Sequence, residues 1–311
     1  MAINLKELAK KDIKFTSGHR LCTGCGPAII AKWTMLAAAD YNVAMSSATC
    51  CVEISSAVFP YSSWKGVSWY HNAFENAGAV VGGIEATYKA LKRKGKIDKD
   101  FKFIAMGGDG GTYDIGFQSL SGMAERGHNA LYIVYDNNAY MNTGIQRSSA
   151  TPKYAWTTTT YVGDAYQGKQ QRRKDLVSIM AAHDIPYVAQ ASLGYWRDYM
   201  TKVQKALETP GPSFIAVYAP CWRGWRTETN SAVDLGRLAV QSRYWPLFEV
   251  VDGKWGMTYE PREAKPLADF LKPQGRFSHL FRPGYEHLMA DFQSEVDFKW
   301  DQLQRRIASS K

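Results

Sequence analysis

The chain has 311 residues, of which 45% are apolar and 22% are charged. A chain of this length and composition buries about three quarters of its unfolded surface, which excludes a disordered protein and a small disulfide scaffold. The net charge of +9 favours acidic partners, such as nucleic acid, phosphorylated ligands or an acidic protein, without choosing among them.

Neither membrane insertion nor export is expected from the sequence. The longest nearly apolar stretch, residues 77–84, is far shorter than the roughly 18 residues of a membrane span, and residues 1–12 contain no apolar signal core. Five cysteines without an export signal indicate a reducing compartment, where thiols serve metals or catalysis more often than disulfides. We therefore expect a cytoplasmic protein.

The predicted elements alternate between helices and strands along most of the chain. Helices are predicted at 27–39, 74–92, 115–126, 175–183 and 195–208, and strands at 41–48, 101–106, 130–135, 187–191 and 213–218. Strand 101–106 runs into a glycine turn, a helix and a further strand, which is the pattern of a parallel sheet. We therefore predict an α/β fold with a mainly parallel six-stranded sheet and helices on both faces.

Two regions depart from this alternation. Residues 143–174 are polar and include the basic run 172–174, which predicts a long ordered loop over a site. From Trp222 onward the periodicity fades and Pro, Gly and aromatic residues dominate. We therefore divide the chain into a domain at 1–222 and an extended C-terminal arm at 223–311, which contacts partner subunits and ends in a helix at 285–307.

The most informative motif is Gly108-Asp109-Gly110, at the end of strand 101–106. Asn137 follows the next predicted strand, and ligands of open α/β sheets bind at such strand ends. The Asp109 carboxylate, the Asn137 amide oxygen and the Ala139 carbonyl suit Mg²⁺, with diphosphate completing the octahedron. An aspartate that simply caps a helix from a glycine turn is the structural alternative.

The cysteines form the second candidate site. Cys22 and Cys25 make a CxxC pair, Cys50 and Cys51 are adjacent, and Cys221 follows strand 213–218. Four of these thiolates could hold a [4Fe–4S] cluster or Zn²⁺. The spacing does not decide between the two, because only one CxxC pair is present.

These motifs together resemble the β subunit of the pyruvate:ferredoxin oxidoreductase family, the thiamin diphosphate-dependent 2-oxoacid:ferredoxin oxidoreductases, which include oxalate oxidoreductase. The matching stretches span residues 20–222 almost continuously: CTGCGP from Cys22, SATCCVE from Ser47, HNAFEN from His71, GDG from Gly108, DNNAYMNTGIQ from Asp136, AWTTTT from Ala155, IMAAH from Ile179, and Pro220-Cys221. A weaker similarity continues over residues 234–275.

The resemblance implies a thiamin diphosphate-binding fold, with the diphosphate, Mg²⁺ and a [4Fe–4S] cluster held by residues 1–222. The implied cofactor contacts are Gly108, Asp109, Gly110, Gly111, Asn137, Ala139, Tyr140, Asn142 and Cys51, and Asn142 is the implied catalytic side chain beside the thiazolium and the substrate. The implied cluster ligands are Cys22, Cys25, Cys51 and Cys221. Cys50 stands where the family usually has Gly, so Cys51 is the expected ligand, although an exchange of the two stays open.

The resemblance also implies an activity and a set of partners. The chain would be one subunit of an oxygen-sensitive complex with α, γ and δ subunits, one of which supplies the carboxylate that activates thiamin. The complex would cleave pyruvate or a related 2-oxoacid, with CoA as a further candidate substrate, and pass single electrons to an acidic ferredoxin. Positive charge at Lys153 and within residues 222–226 suggests oxalate as another candidate substrate.

Two other functions are consistent with parts of the pattern. A non-redox thiamin diphosphate-dependent lyase would share the Asp109 and Asn137 pair but would not need four cluster cysteines. A zinc-stabilised nucleic-acid-binding protein would use the basic charge. No basic stripe interleaves with aromatic residues on one predicted element, so we expect neither a nucleic-acid nor a membrane partner.

Overall fold

The computed structural model describes residues 3–58 and 60–310. The helices are α1 Leu5–Leu8, α2 Gly26–Ala37, α3 Cys51–Ser56, α4 Ala77–Arg93, α5 Phe117–Glu125, α6 Leu176–Ala181, α7 Trp196–Glu208, α8 Trp222–Trp225, α9 Ala232–Gln241, α10 Leu267–Leu271 and α11 Glu286–Ser309. The strands are β1 Asn42–Ala48, β2 Ala57–Val58, β3 Tyr61–Ser62, β4 Val67–Asn72, β5 Phe101–Gly108, β6 Leu131–Asp136, β7 Tyr187–Ser192, β8 Ser213–Tyr218, β9 Leu247–Val251 and β10 Lys254–Tyr259. A π-helix covers Gly110–Ile115, and a 3₁₀ helix covers Gly275–Phe281.

Eight strands form the main sheet, in the order β10-β9-β7-β8-β6-β5-β1-β4. The strands from β7 to β4 are parallel, whereas β9 is antiparallel to β7 and β10 is antiparallel to β9. The predicted α/β fold with a mainly parallel sheet is therefore confirmed. The predicted count of six strands is wrong, because the β9–β10 hairpin adds two antiparallel strands at one edge.

Helices cover both faces of this sheet, as predicted. The central strands β6 and β8 are buried along their whole length, because they are apolar on both sides. Helices α4, α5 and α6 pack on one face through Val81, Leu120 and Met180. Helices α2 and α7 pack on the other face through Met35 and Val203.

The segment after Trp222 differs from the extended arm that the sequence predicted. Its aromatic side chains, including Trp245, Phe270 and Phe292, are buried in the same core as α4, α5 and α6. Burial of this aromatic surface on the chain's own sheet is strongly favourable, which explains why the segment folds back. Within residues 3–58 and 60–310, no helix combines the length and the apolar character that crossing a membrane requires.

The parallel strands bring the predicted site residues to one edge of the sheet. Strands β8, β6, β5 and β1 are neighbours and run in the same direction. Their carboxyl ends lead directly to Cys221, Asn137, Asp109 and Cys50, respectively. The two candidate sites therefore lie side by side.

Candidate active site

Asp109 is a fully buried carboxylate without a cationic partner among the described residues. It accepts hydrogen bonds from the Ser148 hydroxyl and, at 3.2 Å, from the Asn137 main-chain N–H. Burial and the neighbouring Asp136 carboxylate raise the pKa of Asp109 well above its usual value. A buried carboxylate with so little compensation is destabilising unless a cation binds beside it.

The Asn137 side chain completes a convergent set of polar atoms around Asp109. One atom of its amide lies 2.8 Å from Asp109 Oδ1 and 3.0 Å from the Ala139 carbonyl oxygen. With nitrogen at this position, the amide donates to both oxygens. If the Asn137 side-chain oxygen occupies this position, it lies about 3 Å from both the Asp109 and the Ala139 oxygen. This is the separation expected between neighbouring oxygen ligands of an octahedral Mg²⁺ ion. The three residues therefore fit a magnesium ion.

A layer of side chains from the C-terminal half holds this segment in place. Trp225 Nε1 donates a hydrogen bond of 2.8 Å to the Asn137 carbonyl oxygen. Asn138 adopts a φ of 68°, and its side-chain oxygen accepts from Tyr218 Oη and Arg276 Nη2, each at 3.0 Å. The Arg276 guanidinium in turn stacks on the Trp225 ring at 3.9 Å. Neither Trp225 nor Arg276 belongs to a motif that the sequence analysis recognised, because both lie outside the family-like stretches.

The glycine turn is in close contact with two flanking side chains. A Cβ atom at Gly108 would lie 2.6 Å from Cys50 Sγ, and one at Gly110 would lie 2.4 Å from the Tyr140 ring. A side chain at either position would clash with these atoms, so Gly108 and Gly110 are required whether or not a ligand is bound. The turn then enters the π-helix, an irregularity that is frequent at functional sites.

Tyr140 and Asn142 lie at the open side of the site. Tyr140 is half-buried, and burial together with Asp114 and Asp109 raises its pKa to about 12. Its ring packs edge-on against Phe74, with the ring centres 6.1 Å apart. Asn142 is exposed on the loop that follows. The structure therefore leaves Asn142 accessible to a ligand or to another subunit.

The CxxC turn is held tightly against the segments on either side of Cys221. The Cys25 N–H donates to the Cys22 carbonyl oxygen at 3.1 Å, which closes the turn. Gly24 has a φ of 73°, and a Cβ atom there would lie 1.7 Å from the Thr229 carbonyl oxygen, so no other residue fits. Gly26 is similarly close to the Pro220 carbonyl oxygen.

The five thiols lie close enough for neighbouring thiols to influence one another's pKa. Burial raises the pKa of Cys25 to about 12, and Cys221, Cys22 and Cys50 add to this rise. The hydrogen bond with Cys50, followed by burial, raises the pKa of Cys51, and Cys221 and Cys25 contribute. Cys51 thus lies near Cys25 and Cys221, and Cys50 lies near Cys25 as well as against Gly108. All five thiols are free.

These thiols are not arranged as the ligands of a single ion. Within residues 3–58 and 60–310, no group of three or more His, Cys, Asp or Glu side chains has a geometry that could hold one metal ion. Thiolates that bind separate iron atoms of a cluster lie farther apart than the four ligands of one Zn²⁺. The cysteine arrangement is therefore unlike a preformed zinc site.

The polar loop at 143–174 is ordered and packs over Asp109, in agreement with the prediction. Lys169, which the sequence did not single out, is buried and donates from Nζ to the carbonyl oxygens of Thr151 at 2.6 Å and of Ser149 and Arg172 at 3.4 Å. Burial, with smaller contributions from Arg147 and Arg173, lowers the pKa of Lys169 to about 7.

A buried ion pair supports the same loop. Arg173 pairs with Asp136 at the end of β6, and Tyr113 Oη donates to the same carboxylate at 2.7 Å. The Arg173 guanidinium also stacks on Trp245, 4.4 Å from the ring centre. Arg173, the central residue of the basic run at 172–174, is therefore internal.

One of the positive charges that suggested oxalate is engaged elsewhere. Lys153 and Tyr154 Oη both bind Asp291 on α11. Arg226 lies over the Trp156 ring, 3.7 Å from its centre, and Arg223 is exposed. The charge within residues 222–226 is therefore still present beside Cys221.

Comparison with known proteins agrees with this geometry. The family model of the thiamine pyrophosphate enzyme, C-terminal TPP binding domain, matches residues 49–217. Pyruvate synthase subunit PorB of Thermotoga maritima is 50% identical over 312 residues, covering 97% of this chain and 96% of that protein. The chain belongs to the β subunits of the thiamin diphosphate-dependent 2-oxoacid:ferredoxin oxidoreductases.

Other members of this oxidoreductase family are similar over nearly the same length. Subunit PorB of Methanocaldococcus jannaschii is 52% identical, over 86% of this chain and 89% of that protein. Ketoisovalerate oxidoreductase subunit VorB of Pyrococcus abyssi is 44% identical, over 94% of this chain and 92% of that protein. The solved 2-oxoglutarate:ferredoxin oxidoreductase of Magnetococcus marinus shares the fold, with a TM-score of 0.57 and 22% identity over 73% of this chain and 79% of that chain.

Proposed function

We propose that this β subunit supplies the diphosphate side of the thiamin diphosphate site, and one [4Fe–4S] cluster, of a pyruvate:ferredoxin oxidoreductase. The main support is the position of two adjacent cysteines. Cys50 lies against Gly108 of the cofactor turn, and the adjacent Cys51 lies near Cys25 and Cys221. A single peptide unit therefore joins the two sites, which a redox enzyme needs and a non-redox lyase does not.

Asp109, Asn137 and the Ala139 carbonyl would hold Mg²⁺, and Gly108, Gly110, Gly111 and Tyr140 would surround the diphosphate. The uncompensated Asp109 carboxylate and the three convergent atoms support this assignment. The Ser148 hydroxyl orients the carboxylate, and Trp225 fixes the main chain at Asn137. Rigid support of this kind holds metal ligands in a productive geometry.

Cys22, Cys25, Cys51 and Cys221 would bind the cluster. The raised pKa values of Cys25, Cys51 and Cys221 mean that these three thiols are protonated without metal, so cluster binding would release protons. When bound, thiamin diphosphate supplies an electron sink for decarboxylation, and the cluster supplies a one-electron acceptor. The surrounding residues exclude water, since Gly108, Asp109 and Gly110 are all buried.

Pyruvate is the substrate that the comparisons support best, because several relatives are named pyruvate synthase. Oxalate is less well supported, because Lys153, one of the cations that suggested it, is paired with Asp291. Asn142, which is exposed, would contact the substrate from the open side of the site. We infer that another subunit covers this side and brings the thiamin-activating carboxylate, and that CoA is a further candidate substrate.

The +9 net charge suits an acidic ferredoxin as electron acceptor. A [4Fe–4S] cluster that exchanges electrons with ferredoxin fits a reducing, anaerobic cytoplasm. The complex would therefore consist of this chain, its partner subunits and a transiently bound ferredoxin.

The test is to purify the complex under anaerobic conditions, to measure its iron, sulfide and zinc contents, and to assay the pyruvate-dependent reduction of viologen. We expect Cys51→Ser to lose iron and activity, and Cys50→Ser, the matched control one residue away, to retain iron. Zinc in place of iron, or loss of iron with Cys50→Ser but not with Cys51→Ser, would contradict the ligand assignment. Turnover of 2-oxoglutarate or oxalate in place of pyruvate would contradict the substrate assignment.

A further inference from the structure

A cavity that we call the Arg243 cavity is lined by none of the five cysteines and not by Asp109, and its wall includes the Arg173 side chain that pairs with Asp136. It has a volume of about 120 Å³ and is lined by parts of α6, the β9–β10 edge and α11. Its apolar walls are Trp245, Phe248, Trp255, Phe292 and Trp300. The proposed oxidoreductase function assigns no role to this cavity.

The cavity has more positive charge than its neighbouring carboxylates can balance. Among its lining cations, Arg173 pairs with Asp136, Lys174 lies 3.7 Å from Asp114, and Lys299 lies 3.6 Å from Asp175. A lining acid, Glu295, is matched by Arg172, a cation outside the lining, at 3.6 Å.

The two remaining lining cations are the guanidinium groups of Arg243 and Arg306, which none of these carboxylates balances. In the part of the chain that the structure describes, Arg243 and Arg306 have no carboxylate within ion-pair distance. Arg306 donates to the Ser178 hydroxyl and lies over the Trp255 ring. Arg243 lies over the Trp300 ring, 4.6 Å from its centre. Arg243 is thus a stacked cation whose charge is not neutralised.

Among the described residues, three polar atoms of the cavity lining lack hydrogen-bond partners: the donors Arg243 Nε and Tyr244 Oη, and the acceptor Glu295 Oε2, which has only the ion-pair contact with Arg172. Arg243 Nε and the Tyr244 hydroxyl are both buried, and neither has a hydrogen-bond partner within residues 3–58 and 60–310. Arg173 lies near the Tyr244 hydroxyl but does not meet hydrogen-bond geometry. Buried donors without partners are costly, and a ligand that accepts from both would remove that cost.

We propose that the Arg243 cavity binds a small carboxylic acid with a flat apolar body. The two oxygens of one carboxylate match the two donors of Arg243 and Tyr244, and the tryptophan walls match the apolar body. An apolar protein cavity of about 150 Å³ accommodates benzene, so the size suits a ring or a short branched chain.

The test is a calorimetric titration of the full-length chain and of the assembled complex with benzoate as the probe. Two counterparts serve as control ligands: benzyl alcohol has the ring but no charge, and inorganic phosphate is charged but has no apolar body. We expect saturable benzoate binding to both preparations, with at least tenfold weaker binding of the two counterparts. No saturable benzoate binding, equal binding of either counterpart, or loss of binding in the assembled complex would overturn the proposal.

Variants locate the binding within the cavity. Arg243→Gln should weaken benzoate binding at least tenfold, and Tyr244→Phe should weaken it several-fold. The matched control is Arg237→Gln on α9, where the arginine is half exposed and pairs with Asp234 on the surface. Unchanged affinity in both Arg243→Gln and Tyr244→Phe, or an equal loss in Arg237→Gln, would contradict the assignment. Near-identical unfolding curves for the variants and the wild type would show that folding is retained.

Discussion

The indole Nε1 of Trp225 donates a hydrogen bond of 2.8 Å to the main-chain carbonyl oxygen of Asn137. Trp225 ends α8, and Cys221 caps the start of the same helix, with the Trp225 N–H donating to the Cys221 carbonyl oxygen at 2.9 Å. One helical turn therefore fixes the distance between a proposed cluster ligand and a proposed magnesium ligand. A shift of α8 would disturb both sites together.

Trp225→Phe should weaken the binding of Mg²⁺ and thiamin diphosphate about tenfold, because the Asn137 carbonyl loses its donor while the aromatic packing is kept. Loss of a hydrogen bond to a buried carbonyl costs about 1–3 kcal/mol. Isothermal titration of the complex with the coenzyme measures the effect. Trp222→Phe is the matched control, since the Trp222 Nε1 has no hydrogen-bond partner within the described chain; an equal loss there would contradict the role of the Trp225 hydrogen bond.

Asp109→Asn should abolish binding of Mg²⁺ and thiamin diphosphate and, without ligand, make the protein more stable. The substitution removes a proposed metal ligand and also removes a buried charge that no cation balances. Thermal unfolding with and without the coenzyme tests both effects: the wild type should gain stability on binding and the variant should not. Asp100→Asn, at the exposed pair with Lys92, should behave as the wild type. A ligand-induced stabilisation of Asp109→Asn equal to that of the wild type would contradict the assignment.

The sequence predicted the parallel sheet and the position of Asp109, Asn137 and the cysteines because these features are local. Apolar runs define β5, β6 and β8, and the site residues follow the strand ends directly. Because β8, β6, β5 and β1 are neighbours in the sheet, the residues that follow these strands lie close together. Arg276 shows what local patterns cannot provide, since it reaches Asn138 from 138 residues away in the chain.

The C-terminal segment shows a different limit of the sequence. Its Pro, Gly and aromatic residues have no helical or strand period that stands out, so an extended arm was predicted. In the structure, β9 gains its partner from β7, and Trp245 donates to the Ala191 carbonyl oxygen at 2.7 Å. Pairing with a distant strand, and not local propensity, decides the structure of this segment.

Lys169 should make the free energy of unfolding depend on pH. Its pKa is about 7 in the folded chain and near 10.5 when unfolded, so between these values the unfolded chain binds a proton that the folded chain does not. Stability should therefore rise from about pH 7 to pH 10, by up to about 1.4 kcal/mol per pH unit from this group. Denaturant unfolding across this range should show a smaller slope for Lys169→Met. Lys65→Met, at an exposed pair with Asp12, should keep the wild-type slope, and an unchanged slope in Lys169→Met would contradict the argument.

Arg173→Met should destabilise the fold by about 3–5 kcal/mol, because the fully buried Asp136 carboxylate would lose its only ion-pair partner within the described residues. Arg172→Met, at a guanidinium that is 58% exposed and 3.6 Å from Glu295, should cost at most about 1 kcal/mol. The double variant Asp136→Asn, Arg173→Met should be more stable than Arg173→Met alone, since the isolated charge is gone. Urea unfolding of the four proteins measures these differences. Equal effects of Arg172→Met and Arg173→Met would show that burial of the Asp136 charge does not control the stability of this strand end.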